Sequence, residues 1–172
     1  MDSPTIGAIV GIAFGCAWGL GGATGLPHPW REWAMGISIA ISLALFAALV
    51  LPHAPRHSGT FRGLTYGIAV TFEVVAIFAT AWFLNRLSLQ AFLLPAVGFI
   101  VGLHFIGLWK ATDLTVFLYT AVALCVVCVL AAALPTLTER GINLKTVVSG
   151  LGCAVVLWVA GATTLLRHSS SR

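Results

Sequence analysis

The chain has 172 residues, 59% of them hydrophobic and 8% charged, with a formal charge of +4 and mean hydropathy +1.02. Soluble domains carry about 25% charged residues, so the composition excludes an ordinary soluble enzyme or binding module and fits a chain folded in a bilayer. The basic residues are scattered over short loops and the tail; a nucleic-acid partner would need them clustered.

Crossing a bilayer takes about 20 mainly apolar residues. Six runs meet that length: residues 4–26, 33–51, 63–84, 92–109, 114–134 and 146–166. The first opens at Pro4 after Met1-Asp2-Ser3, an acid where a secretory signal has Lys or Arg, and it is long for a signal core, so it reads as a retained helix. Small residues recur at every fourth position: Ser3, Gly7, Gly11, Gly15, Gly19 and Ala23. Residues four apart nearly eclipse on a helix, and in lipid such a smooth stripe lets backbones approach where no hydrophobic force drives helices together. The stripe predicts tight packing against a helix of the same chain or of a second protomer.

Trp30 precedes the second run and Trp33 opens it; with Trp82 and Trp109 they sit at span ends like interfacial anchors. Trp18 and Trp158 lie nearer the middle of their helices and, with Tyr119, are candidate cavity-lining aromatics. The third run holds Glu73 at its centre. An ionisable side chain at that depth costs on the order of 3 kcal/mol by insertion scales, so it is kept where it faces protein or water. Its helical neighbours Tyr66, Ala69, Ala76, Ile77 and Thr80 form a smaller, more polar stripe than Ile68, Phe72, Val75, Ala79 and Phe83 opposite. Glu73 is therefore expected to point inward.

The fourth run repeats the small-residue device at Gly98 and Gly102 and carries His104 two residues on. At about 100° per residue, that offset turns the histidine away from the glycine face, so this helix should have protein on two sides. Lys110 to Asp113 is a short link that forces an antiparallel hairpin, with Asp113 expected to cap the fifth helix. Cys125 and Cys128 have redox spacing but lie mid-helix without polar surroundings, which favours packing over thiol chemistry. Cys16 and Cys153 also fall in apolar runs, so no disulfide framework is implied.

The whole chain, 1–172, thus reads as one transmembrane domain: an all-α integral membrane protein, a six-transmembrane-helix bundle. Arg56, Arg62, Lys110, Arg167 and Arg172 fall on the side of the termini, against Arg31, Arg86, Arg140 and Lys145 on the other. That near balance, tipped by His53, His57 and the free amine, places both termini in the cytoplasm, the membrane being the bacterial inner (plasma) membrane. The halves resemble one another: Gly11-Ile-Ala-Phe-Gly15 and Gly98-Phe-Ile-Val-Gly102 open them, and the second helices end at Pro52 and Pro135. With three spans per half, a duplication would be a 3+3 inverted repeat, an arrangement found in transporters.

Antiparallel third and fourth helices would bring Glu73 and His104 to an axial offset of about 6 Å, within direct or one-water reach. The foremost reading is a proton- or cation-responsive centre, with Tyr66 and Thr80 beside it, in a small permease or channel-like carrier for a small solute. A non-catalytic membrane subunit or scaffold, its helices locked by a buried pair, is the alternative. Acid–base catalysis on a lipid or isoprenoid comes third. No clustered metal ligands, Walker loop or dinucleotide fingerprint occurs, so neither metal nor cofactor is expected. Membrane lipids, an unidentified solute and a possible homo-oligomer are the expected partners.

Overall fold

The computed structural model describes residues 3–50, 63–138 and 141–169, with side chains over 8–50, 63–138 and 141–163. Every regular element among them is helical: α1 Ser3–Ala23, α2 Trp30–Val50, α3 Gly63–Arg86, a 3₁₀ turn Gln90–Phe92, α4 Leu93–Thr112, α5 Thr115–Ala133 and α6 Leu144–Ser169. A helix satisfies its backbone groups internally, which is the condition an apolar surrounding imposes. Five stretches are long and apolar enough to cross a bilayer: Trp30–Val50, Gly63–Arg86, Gln90–Thr112, Thr115–Ala133 and Leu144–Thr163. The part of α1 with described side chains, Ala8–Ala23, is apolar but shorter. By length and composition, these helices make the chain a membrane-embedded protein.

The helix ends have local causes. α3 closes in a Schellman-type turn, with the Leu89 N–H donating to Leu84 O at 2.9 Å and Ser88 at φ 56° in the left-handed region. Asp113 also corrects a sequence expectation. It does not take the N-cap position of α5, which falls to Leu114; it terminates α4 in the left-handed region at φ 55°, its N–H bonded to Trp109 O at 2.7 Å. Aspartate tolerates that conformation better than most residues, and a short hairpin needs the reversal immediately after α4.

The packing centres on α6 and α4. α6 lies against α1, α5, α4 and α2, while α4 lies against α5, α3 and α6. Their shared core holds Trp18 of α1, Phe105 and Leu108 of α4, Leu124 and Cys128 of α5, and Leu157 of α6. α2 contributes two buried serines, Ser38 and Ser42, and α3 contributes no buried residue. α3 is a peripheral helix docked on α4.

The α1 stripe is taken up within the chain. A Cβ built at Gly11 would lie 3.2 Å from Leu157 O, at Gly15 2.5 Å from Trp158 Nε1, and at Gly19 2.5 Å from Ser38 Oγ. Gly7 lies outside the described side chains. The closest approach falls just off the stripe, where a Cβ at Gly150 would collide with the Gly22 backbone. Steps of four drift about 40° per turn from the 3.6-residue repeat, so a step of three restores the contact. On α4, Gly98 and Gly102 meet Cys128 and Cys125 of α5.

Candidate functional site

Glu73 lies near the middle of α3 on the face that docks on α4. Tyr66, Ala69, Ala76, Ile77 and Thr80 share that face and are half-buried, whereas Ile68, Phe72, Val75, Ala79 and Phe83 are exposed. His104 projects from α4 away from the Gly98/Gly102 face. Glu73 Oε2 and His104 Nδ1 lie 3.3 Å apart, with the side chains 14% and 8% exposed. The separation is that of an ion pair, but the alignment is not that of a hydrogen bond: His104 Nδ1 is buried without a hydrogen-bond partner.

Aromatic rings surround the imidazole. The Tyr66 ring stands edge-on at 6.4 Å and 69°, and the Phe105 ring at 6.2 Å and 89°. Phe105 in turn packs on Phe117 at 5.9 Å, tying the site to α5. Gly107, one turn beyond His104, sets the spacing: a Cβ there would lie 2.6 Å from Ala69 Cβ. The sequence reading passed over Gly107. Its signal was the three-residue step that places it on the His104 face.

Chemically, the pair sets a carboxyl group against an imidazole, shielded by aromatic surface. Imidazole can donate from one nitrogen and accept at the other. The other carboxylates among the described residues, Glu32 and Asp113, lie at helix ends, with Glu32 bound to His28 at 2.9 Å. No group of three or more potential metal ligands occurs among the described residues.

Trp18 and Trp158 are core residues, 7% and 8% exposed, and Trp158 Nε1 donates to Ser42 Oγ at 3.1 Å. Packing accounts for this, since the glycines of α1 leave room that the Trp158 indole fills. Tyr119 is 72% exposed on the outer face of α5. A cleft of about 460 Å³ opens elsewhere, at the C-terminal end of α3, and neither Glu73 nor His104 lines it.

Further polar contacts were not legible in the sequence. Ser42 was signalled only by the Ser38/Ser42 spacing on an apolar helix. Lys145, a loop charge by sequence, stands in the first turn of α6, is 5% exposed, donates to Ala132 O at 2.5 Å and lies 4.0 Å over the Phe92 ring. Cys128 and Cys153 bring their sulfurs to 3.5 Å across α5 and α6, while Cys125 faces Phe99 O of α4 at 3.9 Å. Cys125 of the redox-spaced motif thus addresses α4, while Cys128 lies between α4 and α6.

Compared with protein-family models, curated proteins and solved structures, the chain matches none.

Proposed function

We propose that this protein is a small six-span membrane permease or channel-like carrier, linked to proton movement through Glu73 and His104. The supporting observation is the shielded 3.3 Å approach of the two groups, with His104 Nδ1 left without a hydrogen bond. A structural lock would gain from an aligned bond, whereas a relay needs a group ready to accept or release a proton. Ionisable residues at this depth mark proton and solute paths in membrane proteins. The docking of α3 chiefly on α4 supports the same reading, because a peripheral helix that buries no residue is freer to shift than a core helix.

A 3+3 inverted repeat fits part of the packing: α1/α2 parallels α4/α5, and α1/α6 parallels α4/α3. In this reading the bundle sits in a bacterial plasma membrane with both termini cytoplasmic. His53, Arg56, His57, Arg62, Arg140 and Arg172, which bear on that orientation, lie outside the described residues.

A second reading, a non-catalytic membrane subunit, is favoured by the filled Trp18/Trp158 core. Flux separates the two. Wild type and Glu73→Gln are reconstituted in liposomes loaded with a pH-reporting dye, under an imposed acid gradient, with and without pooled amino acids, carboxylates and sugars. The carrier reading expects wild type to dissipate the gradient faster than empty liposomes, and Glu73→Gln to fall to the empty rate with folding stability unchanged or raised. Wild-type flux equal to empty liposomes, or a variant that keeps the wild-type pH profile, overturns it in favour of the subunit.

A further inference from the structure

We propose that the cleft at the C-terminal end of α3 binds an anionic phospholipid, its acyl chain along the apolar wall and its phosphate at the polar end. Phe78, Ala81, Trp82 and Leu93 provide the wall, and Asn85 and Gln90 stand together at one end. The volume of about 460 Å³ lies within the range of ligand-sized sites, about 300–1,000 Å³.

The cleft is chemically divided. The Phe78–Leu93 side offers only hydrocarbon and indole, which selects an apolar chain. At the other end, Gln90 Nε2 donates to Asn85 Oδ1 at 2.8 Å. That bond uses one amide hydrogen and fixes both head groups, leaving the Asn85 amide N–H groups and the second Gln90 N–H to donate. The Arg86 guanidinium stands 5.5 Å over the ring of Trp82, itself a wall of the cleft. Guanidinium matches phosphate in shape and charge and is less strongly hydrated than an ammonium group.

The Arg86 charge over Trp82 therefore favours an anion beside the cleft, and the apolar wall requires that the anion carry a hydrocarbon chain. Position agrees with both demands. Trp82 is 63% exposed beside the end of an apolar helix, where tryptophan and arginine mark the level of lipid head groups. The inference does not depend on the Glu73–His104 reading.

The test uses the full-length protein in detergent, titrated with phosphatidylglycerol, phosphatidylcholine or inorganic phosphate and read by native mass spectrometry. Arg86→Gln removes the charge, and Leu93→Trp fills the wall; thermal unfolding of each variant is recorded alongside. Wild type is expected to hold phosphatidylglycerol about tenfold more tightly than phosphatidylcholine. Arg86→Gln should erase that preference, and Leu93→Trp should weaken both lipids. Equal retention of the two lipids by wild type overturns the proposal, as does an Arg86→Gln protein that keeps the preference. Inorganic phosphate binding as tightly as phosphatidylglycerol would make the site one for the free anion and overturn the lipid assignment. Should Leu93→Trp fail to fold, the Arg86→Gln comparison decides alone.

Discussion

Glu73 of α3 and His104 of α4 face one another at 3.3 Å across the interface that holds α3 to the bundle. Because α3 buries no residue completely, the coupling of this pair can be read apart from core packing. A double-mutant cycle with Glu73→Gln and His104→Gln, measured by denaturant unfolding in detergent, should give a coupling of about 1 kcal/mol. Strict additivity would mean that the two side chains do not interact in the folded protein.

Gly107 should govern that interface. Gly107→Leu places a branched side chain against Ala69, from which even a Cβ stands only 2.6 Å. The expected cost is about 1–3 kcal/mol, with the Glu73–His104 coupling lost in the same background. Gly36→Leu is the control, since nothing lies within 4 Å of a Cβ at Gly36. If both variants unfold alike, the close approach of α3 and α4 is wrong.

The α1–α6 contact should be less forgiving still. Gly22→Leu and Gly15→Leu push against the Leu151 backbone and the Trp158 indole, respectively. Packing supplies most of the attraction between helices in lipid, so each should destabilise by about 3 kcal/mol or prevent folding. The protein should remain at wild-type oligomer size in size-exclusion chromatography, because the described stripe packs within the chain. A change of oligomer size without loss of stability would move the stripe to an interface between protomers.

Lys145→Met keeps the apolar stem while removing the donor to Ala132 O at the end of α5. Helix-terminal carbonyls lack partners within the helix, and a buried one left without a donor costs about 1–3 kcal/mol. Thermal unfolding should register that loss. An unchanged melting temperature would show that water reaches the carbonyl.

Much of this architecture was legible in the sequence because an apolar solvent leaves the chain few choices. The lengths of the apolar runs fixed helices and their order, the short Lys110–Asp113 link fixed a hairpin, and the glycine steps marked faces of close approach. The same periodicity put Glu73 and His104 on faces that could meet. Tertiary packing decided the rest. Where a glycine stripe finds its partner depends on helix crossing, which is why Gly22 and Gly150 make the closest contact although the every-fourth-residue stripe omits Gly22. Trp18 and Trp158 are core residues because glycines on a neighbouring helix make room for indoles, a relation no single helix displays. Lys145 is buried because the α5 carbonyls happen to end beside it. Sequence determined which side chains each helix offers to each direction. Only the assembled bundle determined which directions were filled by protein, since that depends on the angles and depths at which whole helices meet.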